Sequence, residues 1–300
     1  MANITAKDVA ALRERTGCGM MDCKKALVEA EGDADKAIEI LKEKGLAKAA
    51  KKAGRIAAEG IVTAIVDEAK KVGVVLEVNS ETDFVAKNDV FKGFVNLIAQ
   101  TIMDQNPADV DALLECTTAE GKVADMLTEK IATIGENIKI RRFARLEGVL
   151  VPYVHGEGRI GVMVKLDTED YNDEVRTCGK DIALQVTAMN PAYLDKDSVP
   201  ADVIENEKAI MKKQVIDEGK PEAIADKIVM GKLGKYYKEV CLVEQPFVKD
   251  GDVSVAQYVD GVAKQIGKSI KVAEFVRYEK GEGIQKKEDN FADEVASMIK

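Results

Sequence analysis

The sequence predicts an α+β protein, and three observations carry that prediction. The opening stretch, 1–54, places apolar residues at helical spacing between capping residues and glycines. Two β-branched runs follow, Ile61–Val66 and Val72–Val78, joined by a short charged link. The same strand–strand–helix layout then returns further along the chain, the mark of an internal duplication. With 300 residues, 46% apolar and 32% charged, the chain is long enough for more than one core. The expected architecture is an N-terminal three-helix domain, a duplicated core of small antiparallel sheets with helices, an inserted antiparallel coiled-coil hairpin and a C-terminal helix.

In the opening domain, Thr5 is a good N-cap with Asp8 three residues on, Ile4 can staple against Val9, and Gly17 stops the helix. A second helix carries Cys23, Ala26, Leu27 and Ala30 on one stripe. Asp33 caps a third, with Ala34, Ala37, Ile38 and Leu41 on one face, and Gly45 is expected to end it. After the first strand pair comes a loop, Asn79–Asp83, and an amphipathic helix through Phe84, Val90, Phe94, Leu97, Ile98 and Ile102 that wavers near Asn88. The duplication aligns Glu59–Gly60 with Glu147–Gly148 and Gly73–Val74 with Gly161–Val162, both 88 positions apart with no gap. Val149–Val154, Ile160–Leu166 and Cys178–Met189 repeat the two strands and the helix, the last facing Ile182, Ala183 and Val186 inward. The likeness of the Ser269–Gly283 and Asn137–Leu150 segments makes Ile270–Tyr278 a strand joining the second copy.

Between them, Ala201–Glu218 and Pro221–Lys238 read as helices joined at Gly219–Lys220, a link short enough to force an antiparallel pair. Ile204, Met211 and Val215 are placed to face Ile224, Ile228 and Leu233. The expected boundaries are 1–54, 55–141 for the first core subdomain, 142–190 completed by 239–283 for the second, 191–238 for the hairpin, and 284–300 for a helix bearing Phe291, Val295 and Met298.

Composition argues against several functions. A net charge of −9 speaks against a broad nucleic-acid footprint, and aromatic content of 5% without tryptophan against a base-stacking platform. The basic cluster Lys48, Lys51, Lys52 and Arg55 reads as a solvated helix face. No apolar run is long enough for a membrane, and the N-terminus lacks an apolar signal region, so the expected address is cytoplasmic. Five scattered cysteines, Cys18, Cys23, Cys116, Cys178 and Cys241, suggest neither a disulfide framework nor a zinc knuckle. With His155 the only histidine, no triad or metal cluster can be assembled around a second one, and its place at a hairpin turn reads as a surface or rim residue in preference to a general base; no phosphate-cradling GxxxxGK[ST] run occurs. No catalytic residue, metal ligand or cofactor is expected.

The segment Glu77–Asn88 is unusual: polar residues follow a buried strand, then an aromatic stands at the strand-to-helix turn. On packing grounds Thr82 or Asp83 caps the helix and Phe84 turns inward. In the contrasting reading, Phe84 projects as an anchor for a partner's pocket. Its counterpart 88 positions on is Asn172, so the repeated core does not demand an aromatic there.

Two motifs, Thr16-Gly17-Cys18-Gly19-Met20-Met21-Asp22-Cys23-Lys24-Lys25-Ala26-Leu27 and Asn79-Ser80-Glu81-Thr82-Asp83-Phe84-Val85-Ala86-Lys87-Asn88, resemble those of the elongation factor Ts family, and the likeness runs over essentially the whole chain. Ile134–Ile138, the His155–Gly156 turn and Gln245–Phe247 also match. Cys18, where the family often has a small residue, and the link Asp104–Val123 depart from the pattern. The resemblance implies a ubiquitin-associated-like fold for the three-helix domain and a role as guanine nucleotide exchange factor for elongation factor Tu. Thr82, Asp83, Phe84 and Val85 would intrude on that partner and dislocate its Mg²⁺. Lys24, Ile134, His155 and Met298 would add partner contacts, and the hairpin 191–238 would be able to carry a homodimer contact. Two other classes compete: a passive adaptor without nucleotide linkage, and, least favoured, an enzyme with a cysteine nucleophile beside His155.

Overall fold

Helices and small sheets alternate along the chain, and the computed structural model describes residues 4–285. The predicted C-terminal helix with Phe291, Val295 and Met298 lies outside the described residues. Helix α1 (Ala6–Thr16) starts at a capping box between Thr5 and Asp8 and ends at Gly17 in the left-handed region. Helix α2 (Met20–Glu29) buries Cys23, Ala26 and Leu27. Asp33 caps α3 (Ala34–Lys52) through the amides of Asp35 and Lys36, and Ile4 joins Val9 and Leu41 in the shared core. Gly45 does not end α3, which continues to Lys52. A Cβ at Gly45 would lie 3.4 Å from Ala132, so its missing side chain marks a close helix–helix approach.

The strands β1 (Glu59–Asp67) and β2 (Val72–Ser80) are followed by α4 (Asp83–Lys87) and α5 (Asp89–Gln105). The apolar face of α5 is built on Phe91, Phe94, Val95, Ile98 and Ile102, and Val90, expected inside, is exposed. The link 104–123, opaque in the sequence, contains α6 (Val110–Glu115) and a two-residue strand pair, β3 (Thr117–Thr118) and β4 (Gly121–Lys122). Helix α7 (Val123–Ile134) then leads into β5 (Lys139–Glu147), giving a sheet of order β1-β2-β5.

The second copy repeats this order. Strands β6 (Val149–His155) and β7 (Ile160–Asp167) pair antiparallel from Val149↔Leu166 to His155↔Ile160. Helix α8 (Asp173–Met189) packs Cys178, Ile182, Ala183 and Val186 onto them. The hairpin helices α9 (Ala201–Asp217) and α10 (Glu222–Val240) intervene. Then β8 (Pro246–Phe247) and β9 (Asp250–Ser254) pair as a small sheet of their own, α11 (Val255–Ile266) follows, and β10 (Lys271–Glu279) completes a sheet of order β10-β7-β6. The duplication therefore extends beyond the strands and first helix: α7 and α11 begin 132 positions apart, as do β5 and β10. On the hairpin, Val215, Ala225 and Val229 are buried with Met211 and Ile228 against them, and Leu233 is buried too. Ile224, expected to face the other arm, is exposed; Ala225, one position on, takes the inward place.

By density of contacts the chain divides into two units, Met1–Val62 with Leu76–Phe143 and Glu279–Lys300, and Thr63–Val75 with Ala144–Tyr278. The first unit contains a fully buried carboxylate, Glu77. Its Oε1 accepts from Arg141 at 2.9 Å, Gly281 N at 2.8 Å and Asn79 Nδ2 at 3.0 Å, and its Oε2 from Arg142 Nε at 2.6 Å. Arg142 also reaches Glu282, and Lys280 pairs with Glu59. A Cβ at Gly281 would sit 2.1 Å from the Ala58 carbonyl oxygen, so only glycine lets the backbone approach closely enough to donate to Glu77. Among the described residues no helix is long and apolar enough to cross a membrane.

Removing the buried carboxylate deprives Arg141 of its ion pair and leaves the Asn79 and Gly281 donors without their acceptor. Glu77→Ala is expected to lower the unfolding free energy by about 3 kcal/mol, read as a shifted urea midpoint. A midpoint that does not move would contradict this account of the network.

Candidate functional site

The candidate site forms where β2 leaves the interior. All nine residues of β2 are buried, the last being Ser80, and four residues later, at Phe84, the chain is exposed. Ser80 Oγ donates to the Thr82 carbonyl at 3.0 Å, tightening the exit. Thr82 is the N-cap of α4, its Oγ1 accepting from Val85 N at 3.4 Å. Asn88 closes that turn with its own N–H on Val85 O, and its side chain accepts from Val90 N at 2.8 Å to start α5. The predicted single helix is thus two, because Asn88 adopts an extended backbone between them.

Within α4, Val85 and Ala86 turn inward at 8% exposure each, and Phe84 is 80% exposed. The inward reading of Phe84 is therefore overturned: the two residues behind it take the available interior. An exposed phenyl forgoes about 2 kcal/mol of burial. Asp83 shares a 2.8 Å ion pair with Lys87, whose hydrogen bond holds the Asp83 carboxyl below its ordinary value.

The base of this turn is clasped to the loop that follows α7. Gly135, at φ 89°, caps that helix in the left-handed region and turns the chain so that Glu136 faces the β2 exit. Glu136 Oε2 accepts the backbone amides of Glu81 (3.1 Å) and Thr82 (3.0 Å), and its Oε1 accepts from the Thr82 hydroxyl (2.6 Å). In return, Glu81 Oε1 accepts from Asn137 N at 2.6 Å, with Arg55 3.5 Å away. Buried Asn137 donates through Nδ2 to the Arg55 carbonyl at 2.7 Å. Burial, reinforced by Arg55, pushes the neighbouring Lys52 ammonium below its ordinary value.

The turn has no counterpart in the second copy. The first strands match at an offset of 88, but the following helices do not: their N-caps, Asn88 and Asn172, and their left-handed C-caps, Asn106 and Asn190, both lie 84 apart. The first copy therefore carries four additional residues between strand and helix, and the five-residue α4 forms across that insertion. Asn172 is the counterpart of Asn88, a helix cap, and not of Phe84.

The other predicted residues fall in several places. Ile134 is half-buried as the last residue of α7, adjoining the clasp. Lys24 is exposed on α2, which also shows Met20 and Met21 at its surface. In the second unit, His155 ends β6, exposed, with Nδ1 3.1 Å from the Tyr153 hydroxyl. Met298 lies outside the described residues. Sequence reasoning gave neither Glu136 nor Asn137 a role, although both lie in the Ile134–Ile138 segment that resembles the family; they stand 54 to 56 positions from their partners, and the signals for them were that resemblance and the preceding glycine. Among the described residues, no group of three or more His, Cys, Asp or Glu could hold a metal ion.

The model of the family Elongation factor TS matches residues 81–282, beginning at Glu81 of the clasp. An elongation factor Ts of Clostridium perfringens is 51% identical over 299 residues, covering 98% of this chain and 99% of its own length. One of Clostridioides difficile is 51% identical over 303 residues, covering both chains in full, and one of Clostridium botulinum is 49% identical over 300 residues, at 99% of each. The chain belongs to the elongation factor Ts family.

It is thus a member of a family of translation elongation factors. Cys18, Cys178 and Cys241 do not have the environment of nucleophiles. Burial pushes the Cys178 thiol up to about 12 and the Cys241 thiol up to about 11, and raises Cys18 as well. Reactive thiols need the opposite shift. Near neutral pH, a small alkylating reagent is expected to modify the half-exposed Cys18 and Cys116 well before buried Cys178 and Cys241, followed by peptide mass spectrometry. Early labelling of Cys178 would contradict the packing of α8.

Proposed function

We propose that this protein is a guanine nucleotide exchange factor for elongation factor Tu, entering that GTPase with the α4 turn. The single observation that carries the reading is the 80% exposure of Phe84 on a turn absent from the second copy. A large aromatic held out of its own core and backed by buried neighbours is a good hot-spot anchor. Thr82 and Val85 shape the turn, Asp83 borders it, and Phe84 inserts between elements of the partner's nucleotide-binding domain.

In a GTPase, Mg²⁺ bridges phosphate oxygens and protein ligands and so supplies much of the affinity for GDP. Displacing that ion and distorting the phosphate loop releases the nucleotide, and contacts elsewhere offset the cost of the distortion. Lys24 on a three-helix domain of ubiquitin-associated type, Ile134, His155 and Met298 supply those contacts in this reading. The exchange factor and GDP then weaken each other's binding by the same factor. No covalent bond changes, so the protein catalyses exchange without being an enzyme in the chemical sense. The setting is the cytoplasm, where translation runs, and the hairpin 191–238 is available for a homodimer contact.

Purified protein is expected to accelerate release of labelled GDP from elongation factor Tu. Phe84→Ala should reduce that acceleration roughly 30-fold, the effect of losing an anchor of about 2 kcal/mol, with no change in thermal stability. Binding to the GTPase should weaken as GDP is raised. Binding that ignores GDP would identify a passive adaptor instead.

A further inference from the structure

We propose that Glu136 is a positioning residue for Phe84, and that its carboxylate sets how fast the protein can act once bound. The inference rests on the exchange reading above and deepens it. Helix α4 is five residues long, too short to hold its own geometry in water. Its shape must therefore be imposed from outside. Val85 and Ala86 anchor its inner side and Asn88 its C-terminal end. The N-terminal end, where Phe84 leaves the chain, is held by Glu136, whose one carboxylate takes two backbone amides and the capping hydroxyl. The return bond from Asn137 N to Glu81 keeps the α7 loop from drifting away from the turn it holds.

Anchors that are ordered before binding cost less to engage than anchors ordered during it. Without Glu136, the Glu81 and Thr82 amides turn to water and the turn frays. The Phe84 ring then has to be ordered inside the partner, at the step that expels the nucleotide. The loss should fall on the maximal release rate more than on the concentration needed for half-saturation.

The bonding pattern also predicts which substitutions are tolerated. Both amides converge on the same oxygen, Oε2. A glutamine can place its carbonyl oxygen there and turn its NH₂ towards the Thr82 hydroxyl, which can accept. An aspartate keeps the charge but is one methylene too short to reach all three donors. Glu136→Gln is therefore expected to behave nearly as the native protein, and Glu136→Asp and Glu136→Ala to behave alike. A role for the charge alone predicts the reverse grouping of Gln and Asp.

The test has two arms. The chain contains no tryptophan, so Phe84→Trp introduces a single fluorescent reporter at the tip. In the protein alone, adding Glu136→Ala or Glu136→Asp to F84W should lower tryptophan anisotropy and increase acrylamide quenching, and Glu136→Gln should leave both unchanged. With Phe84 retained, Glu136→Ala and Glu136→Asp should each lower the maximal GDP-release rate from elongation factor Tu about tenfold, the usual scale for losing hydrogen bonds to a charged group, with half-saturation shifted far less. Unchanged anisotropy in F84W/E136A overturns the proposal, as does a native maximal rate in E136D. If the reporter loosens as expected but even the native protein fails to accelerate release, the clasp stands and the exchange reading fails.

Discussion

One carboxylate, Glu136, carries the chain across the boundary between a fully buried strand and an exposed turn. It accepts three hydrogen bonds from Glu81 and Thr82, a capacity that matches the donors left unpaired where β2 ends. The exposed α4 turn hangs from that junction. Thr82 can cap α4 because its own backbone is fixed, and Phe84 can stand out because Val85 and Ala86 have the inner positions. An exposed aromatic on a loose loop would collapse onto the nearest apolar surface; on a clasped turn it is denied that escape.

Behind the junction lies a second polar anchor. Glu77, three residues before Ser80 on β2, binds Arg141, Arg142 and the Gly281 amide. This ties the chain near its C-terminal end to the strand that delivers the site. A charge buried this completely is tolerable only because each of its oxygens is occupied by donors, two of them guanidinium groups. The strand is thus held in register by one carboxylate and its continuation aimed by another.

Much of the fold was legible from local chemistry. The Thr5–Asp8 box, the Asp33 cap, Gly17 and the β-branched runs all have causes that act within a few residues, and each appears as read. Errors arose where a distant element decided the outcome. Gly45 has the form of a helix stop, yet it serves the approach of α7, which is remote in sequence. Val90 yields its inward place to Phe91 because Asn88 restarts the helix and resets its phase. The repeat was visible in the strands, where glycines and β-branched residues recur, but not in α7 and α11, which share only Val, Ala and a terminal Ile at matching positions and otherwise keep helical pattern alone. The four added residues of the α4 turn were hidden for the same reason. Phe84 itself was visible as an oddity; only its surroundings decide that it points outward, and the clasp that holds it joins segments over fifty positions apart.

In the proposed function, a rigidly presented phenyl group dislocates a partner's magnesium ion. That step is tested most directly by measuring GDP release from elongation factor Tu at saturating concentrations of this protein, first in Mg²⁺ and then after chelation. If the protein acts partly by removing the ion, chelation alone should speed release and the further acceleration by the protein should shrink markedly. An acceleration of equal size with and without the ion would contradict the account.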